Sequence, residues 1–347
     1  MRPLQGPPLR RRSALTALAG GLLAPGVARA AGEPRYLRLV TGSLNGTYYP
    51  IGALLAQLVS TPPGARACDA DGVCGVPDLI VIVQTSKGSV ENVAAIQSGA
   101  AESGFAQSDV ADAAFNGRDL FAGGPPLTRL RALASLYLES AHLVARKDSG
   151  IASVADLRGR RVSLDVEGSG TLVEARLILD AFGLASGGTG PDQVQTVHVS
   201  PGRALDLMAA GELDALFLVA GAPAAAVSEL LGEQAATLVP IAGPEVDALL
   251  QSHRFLVRDA IAPGTYPGQA EAVATLGVAA LWLVAAELDA DLVYAITAAL
   301  WQPTARPRLV AGHPKGEAIR LEHALRGVAV PVHPGAARYY QEHGIGG

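Results

Sequence analysis

An α/β protein made of two units is the fold that the sequence predicts. Short apolar runs rich in β-branched residues alternate along the chain with runs whose apolar residues recur at helical spacing. The alternation is interrupted near residues 148–150 and then resumes, which indicates a second unit of the same kind. With 347 residues, of which 49% are apolar and 17% charged, the chain is long enough to bury two cores.

Each predicted strand of the first unit is followed by a predicted helix. The strands are at 36–41 and 79–84, and the helices are at 51–59 and 89–98. The second unit is predicted to contain strands at 161–164, 195–198 and 215–219 and helices at 171–182 and 203–210. Because strands joined through a helix pair in parallel, mostly parallel sheets are expected.

The prediction of domain organisation rests on the segment that connects the two units. Residues 130–137 and 142–146 form two extended runs almost back to back, as a strand leaving one lobe and entering another would. The uncharged run 272–286 predicts a buried strand running into a buried helix. If the chain returns near there, the first lobe consists of 31–140 together with 272–347, and 141–271 form the second lobe. A cleft is then expected between the lobes.

The first 30 residues have the three parts of a secretory signal. They hold five arginines and no acidic residue, followed by an apolar stretch at 14–27 and the small-residue sequence Ala28-Arg29-Ala30. Cleavage near Ala30 and a periplasmic location are predicted. The pair Arg11-Arg12 favours twin-arginine export, with the general secretory route left open. Without this segment the chain has 22 basic against 32 acidic residues, so nucleic acid is not expected as a partner.

Two cysteines lie six positions apart in a turn-rich stretch. Because an exported chain meets oxidants, a disulfide between Cys68 and Cys74 is predicted. The two thiols and their neighbouring aspartates do not complete a zinc or calcium ligand set, so no metal site and no cofactor are predicted.

Three turns rich in Gly, Ser and Thr each lie between a predicted strand and a predicted helix. Such turns direct free backbone N–H groups and hydroxyls out of helix N-termini, and together they indicate a site for an anion. The capping of each helix by its own turn is the alternative interpretation. The candidate ligand-binding residues are those of the turns and an amide at another strand end: Tyr48, Tyr49, Thr85, Ser86, Lys87, Ser89, Gln107, Ser169, Gly170 and Thr171.

Catalytic motifs are not found in the sequence. It contains no Gly-x-Ser-x-Gly, Ser-x-x-Lys or His-Glu-x-x-His pattern and no phosphate-binding Gly-Lys-Ser/Thr loop. A binding protein is therefore predicted, with no catalytic residues and no enzyme activity.

Several motifs in order resemble one known family. They are Tyr48-Tyr49-Pro50, Thr85-x-x-Gly88-Ser89-Val90-Glu91-Asn92, Ala106-Gln107-Ser108-Asp109, Gly168-Ser169-Gly170-Thr171, Gly264-Thr265-Tyr266-Pro267-Gly268 and His333-Pro334-Gly335-Ala336. The chain resembles the TAXI-type extracytoplasmic solute receptors of tripartite ATP-independent periplasmic (TRAP) transporters.

That resemblance implies a two-lobed type II periplasmic-binding-protein fold with a hinged interlobe cleft. It further implies glutamate, 2-oxoglutarate or a related small carboxylate as ligand and a TRAP membrane permease as partner. The family's binding residues correspond to Tyr49, Thr85, Ser89, Gln107, Ser169, Gly170 and Thr171. Lys87 and the Cys68–Cys74 segment depart from the family pattern.

The function predicted is therefore closure of two lobes around a small carboxylate or acidic amino acid, which is then delivered to the permease. Two other functions stay open from the sequence. One is a periplasmic module that reports ligand occupancy to a membrane kinase, and the other is a periplasmic enzyme on a similar frame.

Overall fold

The structure is a computed structural model, and it describes residues 33–65, 74–184 and 193–346. The predicted signal segment at 1–30 and Cys68 of the predicted disulfide lie outside the described residues. Within them, no helix is both long and apolar enough to cross a membrane.

Strands and helices alternate through most of the described chain. The strands are β1 (Arg35–Val40), β2 (Ser60–Thr61), β3 (Val76–Pro77), β4 (Leu79–Gln84), β5 (Ser103–Gln107), β6 (Leu130–Arg146), β7 (Arg161–Ser163), β8 (Gln195–Val197), β9 (Ala215–Ala220), β10 (Ala236–Val239), β11 (Leu256–Ile261) and β12 (Val273–Ala285). The helices are α1 (Tyr48–Val59), α2 (Ser89–Ser98), α3 (Ser108–Asn116), α4 (Gly170–Ala181), α5 (Pro201–Ala209), α6 (Ala225–Gly232), α7 (Pro244–Ser252), α8 (Ala290–Trp301), α9 (Ala305–Gly312) and α10 (Pro334–Glu342). The α/β class predicted from the sequence is confirmed.

One large mixed sheet runs through the molecule in the order β4-β1-β5-β12-β6-β9-β7-β8. Strand β10 pairs with β6, and β11 pairs with β12. The pairs at the two ends of the sheet are parallel, whereas β12 is antiparallel to both β5 and β6, and β6 is antiparallel to β9. The expectation of mostly parallel pairing was wrong, because two long strands cross the middle of the sheet in opposite directions.

Strand β6 is a single strand of 17 residues where two runs were predicted. Its first part pairs with β12 as far as Ser140, and its last part pairs with β9 and β10. The residues between the two predicted runs stay extended because their backbone N–H and C=O groups form hydrogen bonds with neighbouring strands.

Strand β12 also corrects a prediction, since its thirteen residues are all extended and no helix follows within the run 272–286. Its final residues pair with β5 and β6. The helix begins only at Ala290, where the Asp289 side chain accepts a hydrogen bond from the backbone N–H of Leu292 at 2.8 Å.

Four clusters of buried apolar side chains divide the described chain in two. Two of them draw only on residues before Ala141 or after Val278, with the partly buried Val173 packed against their edge, and we call this part the first half. The other two draw on residues between Ala141 and Val278, which we call the second half. Strands β6 and β12 each contribute to both halves.

Candidate functional site

Helices from both halves begin at one buried cavity. Helices α1 and α2 belong to the first half and α4 and α5 to the second, and the first residue of each lines this cavity. The N–H groups of a first helical turn have no partner within the helix, and the helix dipole places partial positive charge there. We call this space of about 50 Å³ the interhalf cavity.

The second half contributes two buried hydroxyls to this cavity. Ser169 is the N-cap of α4, and its Oγ accepts a hydrogen bond from the N–H of Leu172 at 3.1 Å. Thr171 Oγ1 accepts from the N–H of Val219, at the end of β9, at 3.0 Å. Each oxygen therefore already accepts a backbone hydrogen bond, and each hydroxyl can donate its hydrogen to an acceptor that lines or enters the cavity, such as the carboxyl of Asp165.

Asp165 is a third cavity residue of the second half, and the sequence prediction missed it. It follows β7 with a φ of 71°, and its Oδ1 accepts from the N–H of Val166 at 2.8 Å. Burial raises the pKa of Asp165 to about 6, although backbone and hydroxyl donors, including Ser169 and Thr171, oppose that shift.

In the first half, Tyr48, Ser89 and Glu139 meet at the cavity. The hydroxyl of Tyr48 donates to Glu139 Oε2 at 2.7 Å and lies 3.5 Å from Ser89 Oγ, which accepts from the N–H of Gln107 at 3.1 Å. Burial raises the pKa of Glu139 to about 8, so this carboxyl is mostly neutral at pH 7. The sequence prediction included Tyr48, Ser89 and Gln107 and missed Glu139.

Gln107 joins the two halves across the cavity. Its Nε2 donates to Glu174 Oε2 on α4 at 3.4 Å, while Gln107 Oε1 and Glu174 Oε1 are buried without a hydrogen-bond partner among the described residues. A β-carbon at Gly170 would overlap Gln107 Oε1, so a larger residue here would displace the side chain of Gln107 from its contact with Glu174. Burial raises the pKa of Glu174 well above its usual range, and the charges of Asp109 and Glu139 act in the same direction.

Four predicted residues of the first half have different placements. Lys87 is exposed but lines the rim of the cavity, and its side chain packs against Gly168. Thr85 is exposed and Tyr49 is half-buried, and neither lines the cavity. Ser86 does not line it either, because its hydroxyl donates to the carbonyl of Thr41 at 3.1 Å and accepts from the N–H of Gly88 at 3.0 Å.

Cys74 is exposed, and its predicted partner Cys68 lies outside the described residues. Within the part of the chain that the structure describes, no three His, Cys, Asp or Glu side chains are grouped so that they could hold a metal ion.

Direct hydrogen bonds also connect the halves around the interhalf cavity. Thr47 Oγ1 donates to the carbonyl of Gly221 at 2.8 Å, and the N–H of Glu91 donates to the carbonyl of Gly168 at 3.1 Å. The cavity is therefore bordered by direct contacts between the first half and the second half.

The fold and cavity define a class: an α/β protein whose mixed sheet carries two halves with a polar cavity between them. Within this class the chain belongs to the NMT1-like family, whose sequence profile matches residues 39–344.

The solved structures to which the chain is similar share little sequence with it. Rpa4515 of Rhodopseudomonas palustris, solved with adipate, is 16% identical over 90% of this chain and 94% of that one, with a TM-score of 0.49. MatC of the same organism, with bound malate, is 15% identical over 80% and 88%, with a TM-score of 0.48. The periplasmic aliphatic sulphonate binding protein SsuA of Escherichia coli is 16% identical over 89% and 79%, with a TM-score of 0.43.

Proposed function

We propose that this protein is a periplasmic solute receptor that binds a small carboxylate between its two halves, at the interhalf cavity, and does not transform it. At about 50 Å³ the cavity has to widen to admit such a ligand. The observation that carries the proposal is the meeting of four helix N-termini with the buried hydroxyls of Ser169, Thr171 and Ser89 in one cavity. This combination of partial positive charge and hydroxyl donors stabilises an anion in a protein whose net charge does not attract one.

An acidic amino acid such as glutamate is favoured over 2-oxoglutarate as the ligand. Its carboxylate would accept from the N–H groups at the start of α4 and from the two hydroxyls there. Its ammonium group would pair with the carboxylate of Asp165, which lines the same cavity. A keto acid of the same length would leave Asp165 without a cationic partner.

Ligand binding is proposed to close the two halves about β6 and β12. A ligand shifts an open–closed equilibrium only through contacts that exist in the closed form, so residues of both halves must touch it. Tyr48 and Gln107 supply such contacts from the first half, and Ser169 and Thr171 supply them from the second. We propose lobe boundaries at 140/141 and 271/272.

The test is calorimetric titration of the mature protein with glutamate, 2-oxoglutarate and dicarboxylates. Wild-type protein should bind one equivalent of its ligand, and the double variant Ser169→Ala/Thr171→Ala should bind at least about tenfold more weakly, since two donors are lost. The matched control is Ser98→Ala/Thr237→Ala, which removes two exposed hydroxyls that do not line the cavity. Equal affinity of the site and control variants would exclude the interhalf cavity as the site.

Recovery of the ligand separates a receptor from an enzyme. After prolonged incubation with stoichiometric protein, NMR of the released ligand should show no change in its chemical structure. A time-dependent product would overturn the proposal in favour of an enzyme.

The partner is proposed to be a TRAP membrane permease, on the basis of the motifs that resemble TAXI receptors. Uptake of labelled ligand by proteoliposomes that contain the permease should require the mature protein on the outside. Ligand-dependent capture of a membrane kinase, with no stimulation of uptake, would instead support the sensory alternative.

A further inference from the structure

A second cavity lies beside the long strand β6 and is lined by both halves. Its volume is about 580 Å³, within the range of roughly 300–1,000 Å³ that is usual for small-molecule sites. Residues 135–138 of β6 form one wall. Strand β11 and the two residues before it supply Arg254, Phe255 and Val257, and the segment after α9 supplies Lys315 and Arg326. None of these residues lines the interhalf cavity.

The charged lining of this second cavity is entirely basic. Lys315, Arg254, His323 and Arg326 line it, and none of its described lining residues is an aspartate or a glutamate. We call it the basic cavity. It contrasts with the chain as a whole, whose acidic residues outnumber its basic ones.

Two of the cations form no direct ion pair. Arg254 is paired with Asp112 at 3.0 Å and lies over the ring of Phe255, whereas Lys315 and Arg326 form no ion pair within the described residues. The ammonium group of Lys315 lies 6.0 Å from the ring centre of Tyr137, and burial lowers its pKa. The carboxyl groups of Asp259 and Glu139 oppose that lowering from a distance, without an ion pair to Lys315. An anion in direct contact with the half-buried ammonium group would offset more of the cost of its burial, and the exposed guanidinium of Arg326 is accessible to the same anion.

The remaining lining is apolar and partly open to solvent. Phe255, Leu138 and Ala279 are half-buried, and 43% of Val257 is exposed although it is a large hydrophobic residue. These side chains surround a space much larger than a single carboxylate needs. They would bury an aliphatic or aromatic tail next to the cations.

We propose that the basic cavity binds an amphipathic monoanion, a carboxylate with an extended aliphatic or aryl-alkyl tail. The carboxylate lies against Lys315 and Arg326, and the tail lies over Phe255, Val257 and Leu138. The occupant bridges the halves, because Phe255 and Val257 come from β11 and its flank while Lys315 and Arg326 come from the C-terminal part of the first half. This site is independent of the proposed receptor function.

The probe is decanoate, with decanol and decyltrimethylammonium as matched neutral and cationic compounds, titrated calorimetrically into the mature protein. We expect one equivalent of decanoate to bind at least tenfold more tightly than either comparison compound. The variant Val257→Glu places a negative charge at an exposed lining position and should weaken decanoate binding at least tenfold. The control Ala260→Glu adds the same charge at an exposed position of β11 outside the lining and should change the affinity less than twofold.

Lys315→Met tests the head-group contact, because it keeps most of the apolar stem and removes the charge. It should weaken decanoate at least fivefold while leaving decanol unchanged. Thermal unfolding of each variant establishes that it is folded. Equal binding of decyltrimethylammonium and decanoate, or unchanged decanoate affinity in both lining variants, would overturn the proposal.

Discussion

Glu139 is a carboxylic acid held in the middle of the sheet with one strong partner, the hydroxyl of Tyr48. Its pKa rises from 4.5 to about 8, chiefly because burial penalises the charged form. A carboxyl whose folded pKa is raised favours folding most below its unfolded pKa. That advantage declines as pH rises and is lost above the folded pKa, so the relevant window is pH 4.5 to about 8.

Glu139→Gln should make the protein less sensitive to pH across this window. The amide oxygen can still accept from Tyr48, and the amide cannot ionise. Relative to wild type, the free energy of unfolding should be similar at pH 4.5 and higher by up to roughly 4 kcal/mol at pH 8. Urea denaturation of both proteins at the two pH values measures this difference. A constant offset between them would show that the ionisation of Glu139 does not affect stability.

Gly170 is the residue whose size matters most in the interhalf cavity. Gly170→Ala would place a methyl group onto the side-chain amide of Gln107 and close to Ser89 Oγ, so the first half could not approach α4. Ligand affinity should fall at least about tenfold, in line with the loss of contacts from one half. Gly232→Ala, whose added methyl group would have no neighbour nearer than Pro267, is the control. Unchanged binding in Gly170→Ala would contradict the proposed closed geometry.

Among the secondary-structure elements, the segment that leads into α6 is fixed by a buried chain of hydrogen bonds. The hydroxyl of Tyr266 lies 2.7 Å from Nε2 of His142 and accepts from the N–H of Ala224 at 2.9 Å. The other ring nitrogen of His142 is 3.1 Å from the carbonyl of Leu218, at the end of β9. Burial lowers the pKa of His142 to about 4, so the ring is neutral at pH 7 and donates to only one side.

Tyr266→Phe should destabilise the protein by about 1–3 kcal/mol, because it leaves the N–H of Ala224 and Nε2 of His142 buried without partners. Tyr36→Phe removes the hydroxyl of a tyrosine that is 59% exposed and should change the free energy of unfolding by less than about 0.5 kcal/mol. Chemical denaturation monitored by circular dichroism provides both values. Equal effects of the two substitutions would show that the buried chain contributes nothing.

The sequence predicted helical and extended elements well where local pattern determines them. The strand and helix pairs at the start of each unit were found in this way. The extended conformation of residues 138–141 and 280–285 could not be predicted, because it depends on pairing with strands that are distant in the sequence. Residues 138–140 and 280–285 pair across β6 and β12, and Ala141 pairs with Val219 of β9. In the sequence, Gly277 and Trp282 make the run 272–286 resemble a strand followed by a helix. In the structure the run stays extended because it pairs with β5 and β6.

The cavity residues also divide into those that local sequence predicts and those whose place depends on residues distant in the sequence. Ser89, Ser169, Gly170 and Thr171 could be predicted because each follows a strand and begins a helix. Asp165 also follows a predicted strand, so that rule could have included it. Glu139 has no local signal apart from a charged residue between two apolar runs, and its role depends on Tyr48, which lies 91 positions earlier.

For the whole molecule, the proposed closure implies that the hydrogen bonds between the halves determine how readily the cavity opens. Thr47→Val keeps the side-chain shape but removes the bond from Thr47 to the carbonyl of Gly221. Because water can solvate that carbonyl only in an open form, ligand affinity should fall about threefold to tenfold. The change in the free energy of unfolding should be smaller than the change in the free energy of ligand binding.

Calorimetry with the ligand, paired with urea denaturation of the ligand-free protein, measures the two effects separately. Thr237→Val, at an exposed position, is the matched control. A loss of folding stability larger than the loss of binding would contradict a role for Thr47 in closure.

The path of the chain through β6 and β12 also has a consequence for biosynthesis. The clusters of the second half use residues up to Val278, so this half is complete soon after β12 begins to leave the ribosome. The first half starts at the N-terminus but still lacks the end of β12, α8 and Tyr340 of α10, which belong to its main cluster. During translation the later half can therefore fold before the earlier one. Strand β5, which pairs with β1 on one side, has to wait for β12 with its other side as an open edge.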